Sequence, residues 1–349
     1  MKVIIGILIN KEFGSDFHYF FEENVNKLSL FSEDKFLFFF SGRVALFNLL
    51  KFGIEKYQWK KVGFPSYYCH EVVEFCNKLP IEVIYYQFNP SSDSESIVWE
   101  DKENNVFVNI DFFGIKKLDT LFIKKSIIID DLTHNLLSFN ESKADYCFAS
   151  LRKQIPIAVG GLCLSKNNDF SLQINETDLA NKTAVQKLSA MYLKAMYLRG
   201  SFQEKNFFRE LYINAEENFK LIETNSKLPK IIHSQLFSLN PENLIQATRK
   251  NCQILKSKIQ TSAKVKILQT EAETEMGLVL QFETNYLRDE TRKHLIKNLI
   301  YPAVLWPKQF LQTDIELERT IIFIHCDFRY IEQDIEFIAL TLNNFIKNV

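Results

Sequence analysis

Between Lys35 and Lys166 the chain alternates short runs of β-branched or aromatic residues with longer stretches in which apolar residues recur at helical spacing. The runs Val62–Phe64, Ile81–Phe88, Val106–Phe113 and Ser126–Asp130 are predicted strands, and Val44–Tyr57 and Glu71–Lys78 are predicted helices. Such alternation predicts an α/β domain around a mostly parallel central sheet, which delivers functional groups at the carboxyl ends of its strands. Met1–Asn10 is predicted as a first strand, because its apolar run is short and lacks the small-residue site of a secretory leader. From Asp178 to Thr224 the pattern turns helical, with Leu188, Met191, Tyr192, Met196 and Tyr197 regularly spaced and few breakers. This predicts a helical layer between domains or between subunits.

After Pro229 the order changes. A helix at Pro241–Lys258, strands at Val265–Leu268 and Gly277–Phe282, a helix at Arg288–Asn298, a strand at Thr320–His325 and a last helix at Ile331–Lys347 predict a compact α+β lobe. The expected division is a large domain with its helical layer over residues 1–235 and a small domain over 236–349. A length of 349 residues is comfortable for two packed lobes, and no Pro/Gly/Ser linker separates them.

With 42 basic and 43 acidic residues the chain has no overall field to attract nucleic acid or anionic lipid. No apolar stretch reaches the eighteen or so residues of a membrane span. The six cysteines lie in hydrophobic segments without paired spacing, as expected of reduced thiols in the cytoplasm, and the six histidines share no metal-ligand spacing. No metal is expected. Gly-x-Gly-x-x-Gly, Walker, Gly-x-Ser-x-Gly and His-Glu-x-x-His motifs are absent, so dinucleotide, nucleotide, serine-hydrolase and zincin chemistries have no anchor.

Three segments fall where strands should end. Ser41-Gly42-Arg43 follows Phe36–Phe40 and opens a helix, so its backbone N–H groups face out of a helix N-terminus suited to phosphate, although Ser41 alone is a simple N-cap. Ile127-Ile128-Ile129 pushes Asp130 and Asp131 out at a carboxyl end, where one carboxylate suits a cationic ring nitrogen and an isolated pair merely caps a turn. His134 follows three residues on. Lys153 comes after the predicted strand Tyr146–Leu151 and before Gly160-Gly161, on a turn where a lysine with a lowered pKa attacks an aldehyde. Most lysines are solvated surface groups, so only the conjunction singles this one out.

That conjunction resembles a family. Ser-Gly-Arg, Phe64-Pro65-Ser66-Tyr67-Tyr68-Cys69, Phe113-Gly114, Asp130-Asp131-Leu132-Thr133-His134 and Ser150-Leu151-Arg152-Lys153 with Gly-Gly come in the order found in pyridoxal phosphate (PLP) fold type I enzymes. They are most similar to the DegT-like sugar aminotransferases of the aspartate aminotransferase superfamily. The likeness continues through Arg249-Lys250-Asn251, Ile300-Tyr301-Pro302 with Trp306-Pro307, and Asp327-Phe328-Arg329-Tyr330.

The resemblance implies that Lys153 forms the Schiff base with pyridoxal 5′-phosphate and acts as acid and base. It implies that Asp131 partners the pyridine nitrogen, that His134 lies beside the cofactor, and that Gly42, Arg43 and Ser150 contact the phosphate. Tyr68 or Cys69 supplies a group over the ring, and Tyr301 and Trp306 face the substrate. It further implies a homodimer that moves an amino group from an amino acid such as glutamate to a keto-sugar, linked to a nucleotide, in a ping-pong cycle, in the setting of polysaccharide synthesis. This chain departs from the commoner Ser-Gly-Thr and from the longer Ser-to-Lys spacing, and the Gly/Asn/Arg-rich segment that the family lends to its neighbouring subunit is not recognisable between Asn167 and Tyr212. The competing readings are another PLP reaction such as elimination or dehydration of a sugar, which retention of Lys153 disfavours, and a PLP-binding protein without turnover.

Overall fold

The computed structural model describes residues 11–20, 30–31, 35–92, 97–167, 170, 172–268 and 274–347. The predicted strand at Met1–Asn10 lies outside the described residues. Seven strands form the central sheet: β1 Phe36–Phe39, β2 Lys61–Pro65, β3 Glu82–Tyr86, β4 Asn105–Phe112, β5 Ile127–Asp131, β6 Tyr146–Ser150 and β7 Gly161–Ser165. Their spatial order is β1-β7-β6-β5-β4-β2-β3, with a two-residue strand, Lys116–Lys117, paired on β4. β3, β2, β4, β5 and β6 run parallel, while β7 is antiparallel to both of its neighbours. Every residue of β4 is buried, as expected where helices cover both faces of a parallel sheet.

The helix α1 (Gly42–Tyr57) starts where the pattern predicts. Ser41 is its N-cap, its hydroxyl accepting from Val44 N, and the chain leaves through Gln58 in the left-handed region. Its apolar face, including Leu46, Leu49 and Leu50, is buried on the sheet. Burying each such side chain contributes roughly 1.5–3 kcal/mol. α2 (His70–Cys76) follows β2.

The long helical stretch is two helices, α3 (Asp178–Leu198) and α4 (Lys205–Asn218), packed on each other. The break falls at Gly200, whose φ of 76° suits glycine and ends the first helix. After the short α5 (Lys230–Leu236) and α6 (Pro241–Lys258), a three-stranded antiparallel sheet is built from β8 Val265–Ile267, β9 Leu278–Phe282 and β10 Ile321–Ile324. α7 (Asn285–Lys297), α8 (Gln312–Thr320) and α9 (Glu332–Ile346) complete this region. α8 was not predicted, since Gln312–Thr320 carries few apolar residues to reveal a period. Phe13–Gly14 pairs in parallel with Ile300–Tyr301, which ties the amino end of the chain to the C-terminal region.

Two glycines bring α1 against the sheet. A Cβ on Gly161 would lie 2.2 Å from the Ser41 carbonyl carbon, and one on Gly42 would lie 2.8 Å from the Ser150 Cβ. The first obstacle is backbone, which cannot rotate away. Gly161→Ala should therefore cost about 1–3 kcal/mol of stability, read as a lowered denaturant midpoint with unchanged slope. An unshifted midpoint would show that the contact can relax.

Candidate active site

The carboxyl ends of β5 and β6 lie side by side, with Asp131 paired to Phe148 in register. Successive strand residues face opposite sides. Asp130 therefore points to Lys117 and to the Ser142 hydroxyl, both at 2.5 Å, and is satisfied there. Asp131 points to the other face. Its Oδ1 accepts from Thr133 N at 3.0 Å and its Oδ2 from the Tyr68 hydroxyl at 2.5 Å. Burial raises the pKa of Asp131 above the ordinary carboxylate value, against the pull of these hydrogen bonds.

Thr133 joins this strand end to the turn that carries Lys153. Its hydroxyl accepts from Ser150 N at 3.0 Å, and its carbonyl accepts from the Gln154 side chain at 2.9 Å. Lys153 ends the short 3-10 turn Leu151–Lys153, closed by Leu151 N donating to Gly160 O at 3.0 Å. Its side chain is open to solvent at the junction of two cavities of about 300 and 340 Å³. Met276, Phe323 and His325 line both cavities beside it.

The pKa of this lysine is lowered, first by the positive charge of Arg152 and then by desolvation. Cys69, Glu216 and Asp16 oppose that shift. Arg152 is fixed by a two-pronged bond to Glu216 of α4, at 2.9 and 3.2 Å, and lies over the Phe219 ring. Lys187 of α3 also bonds Glu216. The helical layer thus positions the charge that sits next to Lys153.

His134 is buried against Phe113, with ring centroids 3.9 Å apart, and Trp306, at 5.5 Å and 19°, and these two rings also meet each other at 5.9 Å. Its Nδ1 accepts from Phe113 N at 3.2 Å, which leaves the proton on Nε2. Burial and the nearby Lys153 lower its pKa to about 3, so the ring stays neutral at physiological pH. Cys69, His134, Lys153 and Trp306 all line the 340 Å³ cavity. Tyr68 lies beneath it, fully buried, with its carbonyl bonded by Gln309 at 2.8 Å and its ring 5.7 Å from that of Trp306.

Gly42 opens α1 directly against Ser150, so unpaired N–H groups of a first helical turn lie beside the Ser150 side chain. Two expected residues are placed elsewhere. Arg43 turns to Glu71, 3.2 Å away, and lines a separate cavity with Asp16, Tyr212 and Glu216. Tyr301 lines a fourth cavity with Lys194 and Lys205, which shares Ser15 and Asp16 with the 300 Å³ cavity. Arg152, Glu216 and Asp16 join the site in addition to the residues expected from sequence; of these only Arg152 carries a sequence signal, its place in Ser-Leu-Arg-Lys. Among the described residues no group of three or more His, Cys, Asp or Glu is arranged for a metal ion, and no helix is long and apolar enough to cross a membrane.

No family model and no curated protein matches this sequence. Solved structures do. Spr1654 of Streptococcus pneumoniae, designated a sugar aminotransferase and solved in its PLP form, is similar at a TM-score of 0.59 and 14% identity over 90% of this chain and 87% of that chain. The aminotransferase TlmJ of Streptoalloteichus hindustanus is similar at 0.58 and 9% identity, over 91% and 87% of the two chains. A DegT/DnrJ/EryC1/StrS aminotransferase of Brucella abortus is similar at 0.57 and 13%, over 89% and 85%. The chain has the PLP fold type I architecture of these aminotransferases, as the sequence reading expected.

The electrostatics of Lys153 can be tested without any ligand. Removing the neighbouring positive charge in Arg152→Gln should raise the pKa of Lys153, because the ammonium form loses its main opponent. The rate of reductive methylation at Lys153, followed by peptide mass spectrometry, should then reach half-maximum at a higher pH than in the wild type. A profile that stays put or moves to lower pH contradicts the assigned cause.

Proposed function

We propose that the protein is a PLP-dependent aminotransferase that moves an amino group from an amino acid, with glutamate as the donor, to a keto-sugar linked to a nucleotide. One observation carries the reading: a solvent-reachable lysine with a lowered pKa shares its strand-end platform with a buried carboxylate that still has acceptor capacity. Asp131 accepts from the Tyr68 hydroxyl and from the backbone and side chain of Thr133, which leaves part of its acceptor capacity unused. The donor set fits the cofactor. Lys153 would bond its aldehyde, Asp131 would accept its ring N–H, His134 would offer a neutral ring with an Nε2–H, and the α1 N-terminus with Gly42 and Ser150 would receive its phosphate. When bound, the cofactor supplies an electron-withdrawing ring that takes up the electrons of a broken C–H bond.

The chain's own residues perform the rest. Arg152 keeps the Lys153 amine easily deprotonated, so that it acts first as a nucleophile and later as the base that moves a proton from the substrate carbon. Burial raises the pKa of Asp131, and the positive charge of a protonated ring nitrogen opposite it, with the Tyr68 and Thr133 hydrogen bonds, would favour its ionised form. His134, neutral over the whole working range, orients without exchanging protons. Trp306 and Phe113 pack against it and help to exclude water. The sugar acceptor is supported by the designation of similar solved proteins as sugar aminotransferases. Free, mostly buried cysteines support a reducing compartment, the cytoplasm.

Two measurements test the reading. Borohydride treatment of the PLP-loaded protein should leave the cofactor on Lys153 by mass spectrometry, and L-glutamate should change the absorption spectrum of the loaded protein. Lys153→Ala should lose the adduct and reduce turnover by at least about 10²–10⁴-fold, the acid–base share alone. An adduct on another lysine overturns the assignment, while an adduct on Lys153 with no response to any amino acid favours a binding protein.

We also infer a homodimer. Val185 and Tyr192 of α3 and Phe207 and Ile213 of α4 are each about half exposed on the helical layer, apolar surface that a second copy would cover. Sedimentation velocity should give twice the chain mass. A fully active monomer would remove this part of the reading.

A further inference from the structure

The short segment from Phe13 to Phe17 is held more firmly than its length requires. Gly14 N donates to the Tyr330 hydroxyl at 2.6 Å, Arg329 donates to the carbonyls of Asp16 at 3.1 Å and Ser15 at 3.5 Å, and Tyr212 donates to the Phe17 carbonyl at 2.6 Å. Lys194 of α3 donates to the Asp16 carbonyl as well. Ser15 is held at a φ of 63°, a conformation that costs a non-glycine residue and persists only where its surroundings enforce it. Side chains from α3, α4 and the Asp327–Tyr330 turn therefore converge on a few peptide groups.

The result is the placement of one side chain. Asp16 is exposed and lines the 300 Å³ cavity with Lys153. It also borders the cavities of Arg43 and of Tyr301, so it stands where three cavities meet. The other charged groups on the wall of the Lys153 cavity are already matched. Arg152 is taken by Glu216, and Arg329 holds Asp327 through two bonds at 2.6 and 2.8 Å. No hydrogen bond or ion pair satisfies the Asp16 carboxylate among the described residues. With Arg152 and Arg329 already matched, the Asp16 carboxylate, which the charges of Lys153, Lys187 and Lys194 help to keep ionised, is the acceptor this wall offers to a hydrogen-bond donor.

We propose that Asp16 is the specificity-determining residue for the acceptor, its carboxylate accepting hydrogen bonds from the hydroxyl groups of a sugar bound at Lys153. This rests on the aminotransferase reading above and adds to it the residue that recognises the substrate class. Hydroxyls of the sugar and the ammonium of the amino donor share the same donor chemistry, so the test must separate the two half-reactions.

The protein loaded with pyridoxamine phosphate is mixed with UDP- and dTDP-linked 4-keto-6-deoxyglucose and, separately, with 2-oxoglutarate, a keto acid without hydroxyls. The return of the aldehyde form is followed by absorbance. A hydrogen bond to a charged acceptor contributes enough that its loss weakens binding roughly 10–100-fold. In Asp16→Asn and Asp16→Ala the ratio of kcat/KM for the keto-sugar to that for 2-oxoglutarate should fall by that factor, through KM rather than kcat. Calorimetric titration of the keto-sugar into borohydride-reduced holoenzyme, which cannot turn over, should show the same rise in Kd. An unchanged ratio, or a loss confined to 2-oxoglutarate and glutamate, overturns the assignment of Asp16. If wild-type protein reacts with 2-oxoglutarate and with neither keto-sugar, the sugar specificity falls and the Asp16 proposal falls with it. Failure of both acceptors in the wild type instead overturns the aminotransferase reading itself.

Discussion

Thr133 joins the parts of the site through three hydrogen bonds. Its N–H holds Asp131, its hydroxyl holds the backbone where β6 ends, and its carbonyl holds Gln154 just beyond Lys153. Two adjacent parallel strands would bring Asp131 and Lys153 to the same edge of the sheet in any case. What the threonine adds is a fixed separation between a carboxylate and an amine that have no direct bond to each other. Hydrogen bonds of this kind stabilise by only about 1 kcal/mol each, so their value lies in geometry.

Around that link the charges are arranged by exclusion. Asp130 and Asp131 are neighbours in sequence, yet one is satisfied by Lys117 and Ser142 and the other by Tyr68 and Thr133, because strand alternation sends them to opposite faces. Arg152 influences Lys153 without competing for its partners, since Glu216 takes both arms of the guanidinium. His134 contributes no charge at all. Packed against Phe113 and Trp306 and deprived of water, it stays neutral where an exposed imidazole would begin to protonate.

Much of this was legible in the sequence because it is local. The run of three isoleucines announces a buried strand and hence the position of Asp131, and the spacing from Lys153 to Gly160-Gly161 announces a tight return into the sheet. The central strands and α1 were legible for the same reason. Contacts between distant segments were not. Nothing in the neighbourhood of Glu216 marks it as the partner of Arg152, 64 residues away in sequence. Asp16 lies in a segment whose conformation is imposed by Arg329, Lys194 and Tyr212, and Arg43 is drawn aside by Glu71, which sits on another helix. Tyr301 shares a loop region with Trp306, but its pairing with the Phe13–Gly14 strand directs it toward a different cavity. The break between α3 and α4 depended on one glycine inside an otherwise helical pattern.

The reversed direction of β7 bears on how the molecule assembles. Because β6 and β7 are antiparallel neighbours, with Ser150 opposite Gly161, the segment bearing Lys153 is a hairpin connection rather than a crossover. Closing it brings together residues only about ten apart, a small entropic demand. The bond from Tyr68 to Asp131, by contrast, spans 63 residues, and the contact of Arg329 with Asp16 spans 313. The turn that presents the lysine can thus form from nearby chain alone, whereas its surrounding walls close only once segments far apart along the polypeptide have met.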